Sequence, residues 1–212
     1  MTSKRGYHNK AGDRIPANTT ILNQLGWKSR GLMHWSWKMG MEGKDYREVA
    51  DEEADIGTIA HKWVEADLHG KDRIKVDIPM DSLAKLDKCM ASFNRWSHGS
   101  RLDVTGSEIE VISEKHQYGT RIDHPARIDG TRIILELKST TDLYEDHLIQ
   151  VAAQWQAWDE EFPGDPVQEA HILRLGKEDA SFHHHSWIDL AKYFRVFVLC
   201  RELYDLQKQC RL

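Results

Sequence analysis

Asp123, Glu136 and Lys138 are the residues of this chain whose types and spacing point most directly to chemistry. Between them lies Asp129-Gly130, a two-residue loop of the kind that accepts positive φ at both central positions, set between apolar runs that end at Ile128 and resume at Ile133. Such a loop fixes the register of a hairpin. With Ile128 opposite Thr131, counting outward places Asp123 opposite Glu136 and Arg121 opposite Lys138. Opposed residues of an antiparallel ladder have Cβ atoms about 4.5–5.5 Å apart, and residues two apart share a face, so the two carboxylates and the ammonium are expected to converge. Facing carboxylates repel unless a cation neutralises them. Lys138 supplies part of that charge; a hard divalent ion such as Mg2+ or Mn2+, which takes oxygen ligands and keeps water and phosphate in its shell, supplies the rest. The alternate residues Ile133, Leu135 and Leu137 are apolar and are expected to pack into a core.

The elements around this hairpin follow from periodicity. From Asp103 onward the period is two, which predicts strands over 105–114, 118–128 and 131–138. In the first of these, Glu108 and Glu110 share a face, and alternation does not choose between them. Upstream the pattern is helical: short helices from Thr19 or Thr20 to Leu25 and from Ser29 to Met39, then longer ones over 52–68 and 80–98. In the helix over 52–68, Gly57, His61 and Glu65 fall at successive i, i+4 positions. Downstream, a helix over 143–162 ends before Pro163-Gly164, a hairpin joins 169–175 to 181–188, and a last helix covers 190–208. Helices, three strands, helix, two strands, helix predicts an α/β (α+β) fold with a central mixed sheet flanked by helices and a helical N-terminal extension. One domain is expected over 1–212: a basic tail over 1–14, a mainly helical part over 15–100 and a sheet-containing core over 101–212.

The strings Tyr118-Gly119-Thr120-Arg121-Ile122-Asp123 and Ile134-Leu135-Glu136-Leu137-Lys138-Ser139 resemble the G-x-x-D and E-x-K motifs of the PD-(D/E)XK nuclease superfamily, in particular its RecB-like branch of phage exonucleases and the mitochondrial genome maintenance exonuclease. Glu108 lies where that branch has another acid, Gly57 and His61 match its G-x-x-x-H helix, Gln150 matches its helix glutamine, and Pro16 to Leu22 is similar to its P-S-x-T-x-I-L opening. The resemblance spans nearly the whole chain. It implies a restriction-endonuclease-like core and a metal-dependent deoxyribonuclease, an exonuclease of linear DNA or else a structure- or sequence-directed endonuclease. A DNA-binding protein that keeps the fold without catalysis is the reading from another class. Asp123 and Glu136 are implied to hold the ion, with the backbone carbonyl of Leu137 and help from Glu108 or His61; Lys138 is implied to position the attacking water, and Gln150 to hydrogen-bond near the metal or the DNA. By the same resemblance Tyr118, Arg121 and Ser139 are candidate DNA contacts, a phage recombination or single-strand-binding protein is an expected partner, and monomer and ring both remain open. Where the branch often has tyrosine four residues after the glutamine, this chain has Gln154, which puts that ring's substrate contact in question. Cys89, Cys200 and Cys210 are too scattered for the iron-sulfur cluster of some relatives, so none is expected.

Composition sets wider bounds. With 40% hydrophobic and 30% charged residues the chain reads as an ordinary globular protein, and the absence of an apolar leader or spanning run within it leads to a cytoplasmic expectation and no membrane partner. The net charge of −5 argues weakly against a phosphate-bearing partner. Its distribution argues the other way, because residues 1–38 carry Lys4, Arg5, Lys10, Arg14, Lys28, Arg30 and Lys38 against the single acid Asp13. Lys28 and Arg30, with Trp35 to stack on unpaired bases, are the DNA-contact candidates of this segment. The run His183-His184-His185 alternates across a strand, so it does not by itself build a compact metal site.

Overall fold

The computed structural model describes residues 6–210, without the side chains of residues 28–30. A five-stranded mixed sheet has the order β1-β4-β5-β6-β7, formed by Leu102–Val104, His124–Ile128, Thr131–Lys138, Glu169–Leu175 and Phe182–Trp187; β2 (Ile109–Ser113) and β3 (Tyr118–Ile122) make a separate two-stranded sheet. Among the described strands of this sheet, β5 and β6 are the pair that runs parallel. A parallel pair needs a crossover, and helix α5 (Glu145–Glu161) provides it.

The strand β5 shows why this sheet is two-sided. Ile133, Leu135 and Leu137 pack on one face against α3 (Tyr46–Leu68) and α4 (Met80–Ser97), in a core with Val64, Leu86 and Phe93. Ile134, on the other face, packs with Ile149, Ala153 and Ala157 of α5 and Phe197 of α6 (Ala191–Gln209). The apolar face is where the sequence placed it; the opposite face is also buried, because α5 and α6 cover it. Glu136 and Lys138 continue the Ile134 face towards its end.

The expected strand over 131–138 and the two-residue turn are observed, with Ile128 opposite Thr131 and Asp129 at φ 49° before Gly130 at φ 86°. Two other expected strands are corrected. Over 105–114 only β2 is strand, since β1 has already ended at Val104 and residues 105–108 leave the ladder, and 118–128 divides into β3 and β4 at Asp123. The elements on either side of each break join different sheets, β1 with β4 and β2 with β3. Both breaks meet, since the Glu108 N–H donates to the Asp123 carbonyl at 2.8 Å. Glu108 sits there at φ 55°, a left-handed conformation that costs a non-glycine residue roughly 1–2 kcal/mol. Period-two reading sees both runs as continuous because the kink changes direction without changing alternation.

At the N-terminal end, α1 covers Asn18–Leu22 and α2 covers Ser29–Met41, joined through a short 3-10 turn at Gly26–Lys28. Helix α3 starts six residues before its expected position, at Tyr46, where Asp45 accepts a hydrogen bond from the Arg47 N–H as its N-cap. Its first turns are exposed and carry no apolar stripe, so periodicity marked only the buried part. Residues 7–17 form a strap: Ile15 N–H bonds the Tyr7 carbonyl, and Gly119 N–H bonds the Pro16 carbonyl. The Tyr7 ring lies where a Cβ at residue 119 would be, so only glycine fits under it.

Candidate metal centre

Asp123 stands one residue before His124, whose partner Leu135 ends the β4–β5 ladder, so it lies just beyond that ladder, near Glu136. Its Oδ2 accepts the Leu137 N–H at 3.0 Å. The contact from Leu137 to the acid is thus through its N–H. Arg121 is not opposite Lys138, as had been expected; the break at Asp123 carries it into β3 opposite Glu110, with its Nε 2.6 Å from Glu108 Oε2. His61 reaches the same point from α3, with Nδ1 3.5 Å from Asp123 Oδ2. One ligand atom each from His61, Glu108 and Asp123 lie within 4.8 Å of one another. Gly57, one turn earlier on α3, allows this approach, because a Cβ there would come within 2.6 Å of Ser139 Oγ at the end of β5.

Glu136 lies beside this cluster with both oxygens engaged. Lys138 Nζ and Gln150 Nε2 donate to Oε1 at 2.7 and 2.8 Å, and Gln154 Nε2 donates to Oε2 at 2.8 Å. Lys138 also donates to Gln150 Oε1 at 3.0 Å. The two carboxyls are pushed in opposite directions. Burial raises Asp123 well above the usual carboxylate range, and the charge of Glu136 adds to that. Burial also acts to raise Glu136, but the charge and hydrogen bond of Lys138 and the Gln154 amide outweigh it, leaving Glu136 below its ordinary value. Lys138 is correspondingly held protonated: burial opposes its charge, and Glu136 and Asp123 overcome that. Burial pushes His61 below its ordinary value, which keeps a lone pair for a ligand role.

Two carboxylates and an imidazole in reach of one another are compatible with a divalent metal ion. The raised Asp123, crowded by Glu136, marks where added positive charge would relieve repulsion.

Two cavities flank the centre. One of about 540 Å3 runs past Asp123 and Gln150 and is walled by Tyr7, Arg14, Tyr204 and Lys208. The other, about 760 Å3, lies between Trp35, Met39, Gly57, Ser139 and Arg174. Trp35 and Ser139, both half-buried, therefore line the second cavity, and exposed Arg121 lines the first. Tyr118 is a correction. It is fully buried, its hydroxyl donates to the Ala153 carbonyl at 2.7 Å and its ring meets Phe197, so it belongs to the core and touches no surface where DNA could lie. The side chains of Lys28 and Arg30 lie outside the described residues, as do Lys4 and Arg5.

Two features escaped sequence reasoning. Gln154 sits four residues after Gln150 on α5, so the i, i+4 spacing was available, but nothing in one sequence says that a helical glutamine is fully buried under a carboxylate. The second is a chain from the surface: His69 Nε2 lies 2.9 Å from Ser107 Oγ, which lies 2.9 Å from His124 Nδ1. His124 is buried beside Asp123 and pushed down to about 3, chiefly by burial, so it is neutral. Its three members come from separate segments and share no motif.

No protein-family profile matches the chain, and no curated protein is detectably similar to it. Among solved structures it is similar to a protein from Eubacterium rectale provisionally described as an exonuclease, at 11% identity and a TM-score of 0.48 over 74% of this chain. It is also similar to the protein SSO0001, at 12% identity and a TM-score of 0.36 over 59% of this chain. The matched regions span 65% and 61% of those two proteins. Among the described residues, no helix is long and apolar enough to cross a membrane.

Proposed function

We propose that this protein is a metal-dependent deoxyribonuclease of the PD-(D/E)XK type that hydrolyses phosphodiester bonds. The observation that carries the reading is the meeting of His61, Glu108 and Asp123, from a helix and two strand breaks, beside the Glu136–Lys138 pair. In this reading Asp123, Glu108 and His61 hold the ion, with Glu136 beside them. The chemistry such an ion supplies is a lowered pKa for bound water and neutralisation of phosphate charge. Lys138 keeps its proton and uses two of its donors on Glu136 and Gln150, which fixes the ammonium where it can orient a water or a phosphate oxygen. Gln150 and Gln154 hold Glu136 in place, and Arg14, Arg121 and Lys208 around the smaller cavity favour a phosphate backbone.

The finer reading, an exonuclease that consumes linear DNA in phage or prophage DNA processing, rests on the sequence resemblance. The test is cleavage of end-labelled linear DNA beside a closed circle, with Mg2+, Mn2+ or EDTA, by the wild type and Lys138→Ala. Metal-dependent loss of the linear substrate alone, abolished by the substitution, is the expected result. Nicked circles would replace the exonuclease with an endonuclease, and binding without cleavage in any metal would overturn the catalytic reading.

A further inference from the structure

We propose that His171 and His184 form a second metal site, for a borderline transition ion such as Zn2+, at the edge of the large sheet. The site is separate from the candidate nuclease centre and does not depend on the nuclease reading.

The ladder between β6 and β7 pairs His171 with Ser186 and Leu173 with His184, so alternation puts both imidazoles on one face. His171 Nδ1 and His184 Nε2 lie 2.8 Å apart, with the rings 4.9 Å between centroids. The other nitrogen of His171, Nε2, lies 3.0 Å from Glu169 Oε2. A carboxylate only accepts, so His171 carries its proton on Nε2 and turns the Nδ1 lone pair towards His184. A carboxylate behind an imidazole whose free nitrogen faces outward is the arrangement that orients histidine ligands and raises their basicity. The Trp96 ring meets His184 in a T-shaped contact, with centroids 5.3 Å apart.

Binding is balanced without an external acid or base. His184 donates its Nε2 proton to His171 in the metal-free state; on binding, that proton moves to His184 Nδ1 through solvent, and both facing nitrogens become ligands. The nitrogens separate slightly, since Zn–N distances of about 2.0–2.1 Å in a tetrahedral site need them somewhat more than 3 Å apart. His171 is buried and His184 exposed, which leaves the remaining positions to water. Imidazole donors select Zn2+, Co2+, Ni2+ or Cu2+ over Mg2+, so this site and the carboxylate centre would take different ions. Joining the edge strand to its neighbour is the direct consequence.

The neighbours His183 and His185 supply the control. They pair with Arg174 and Ile172 and so belong to the opposite face. The experiment uses full-length protein without a polyhistidine tag, carrying His61→Gln and Asp123→Asn so that the carboxylate centre does not contribute. Zn2+ is titrated calorimetrically and its effect on Tm recorded. One Zn2+ is expected to bind and raise Tm; His184→Gln, at an exposed position that folding tolerates, removes both effects, as does His171→Gln. Glu169→Gln weakens binding by roughly tenfold or more, and His183→Gln/His185→Gln leaves it intact. Absence of Zn2+ binding, its persistence in His184→Gln, or its loss in the His183/His185 double variant would overturn the proposal.

Discussion

Gln154 makes the sharpest case for what a single side chain does here. Its amide N–H groups bridge Glu136 Oε2 and the Arg121 carbonyl, at 2.8 and 3.0 Å, from a fully buried position. Gln154→Leu keeps the volume but leaves both acceptors bare. Steady-state cleavage is expected to fall about 10- to 100-fold, in the range seen when the partner of a metal-site carboxylate is removed. Losing a donor to its ionised form also raises Glu136, so the acid limb of the pH–rate profile moves to higher pH; an unmoved limb would mean that Gln154 only packs. Tyr118 makes the opposite case. Tyr118→Phe removes one of two donors to the Ala153 carbonyl, the helix bond within α5 remaining, and is expected to cost about 0.5–1.5 kcal/mol in denaturant unfolding, with DNA affinity unchanged because the ring faces the core.

At the scale of elements, the approach of α3 to the end of β5 decides whether His61 reaches Asp123. Gly57 sets that distance, and a methyl group there collides with the Ser139 hydroxyl. Gly57→Ala sets this contact, which rotation of the Ser139 hydroxyl relieves, against the better helix propensity of alanine, so stability is expected to change by no more than about 1 kcal/mol, and a fall in activity would report displacement of His61. Adding Ser139→Ala removes the contact altogether, and a double-mutant cycle would measure the coupling between the two positions. The paired strand breaks act at the same scale. Had 105–114 and 118–128 run straight, Glu108 and Asp123 would belong to one continuous ladder; bent, their backbones meet and their carboxylates share a site.

Over the whole molecule, the opposite shifts of Asp123 and Glu136 make stability depend on pH in two opposed ways. Asp123, raised by burial and Glu136, contributes fully below the unfolded carboxylate value, and that contribution is lost as pH rises through its folded pKa. Glu136, lowered on balance, contributes above the unfolded value and loses this as pH falls through its folded pKa. In EDTA, Asp123→Asn is thus expected to gain stability relative to wild type as pH rises above the unfolded carboxylate value, and Glu136→Gln to lose it. Thermal unfolding of the three proteins across that range checks both signs. Mn2+ or Mg2+ should narrow the Asp123→Asn advantage at the higher pH, because an ion bound to the ionised carboxylate replaces the missing positive charge.

Local rules were enough for much of this protein. The Asp129-Gly130 turn set the β4–β5 register, alternation set the apolar face of Ile133, Leu135 and Leu137, and helical periodicity located α4, α5 and α6 to within a few residues. These depend on residues near one another in sequence, where φ preference and side-chain period act directly. The bends at Glu108 and Asp123, the burial of Tyr118 and Gln154, and the meeting of His171 with His184 depend on groups 13 to 35 residues apart. Such contacts form only when sheets and helices pack, and burial then sets which carboxyl keeps its proton. The sequence alone determined which residues could do chemistry; tertiary packing decided which of them share a site, because electrostatics and hydrogen bonding act over a few ångströms of space whatever the separation along the chain.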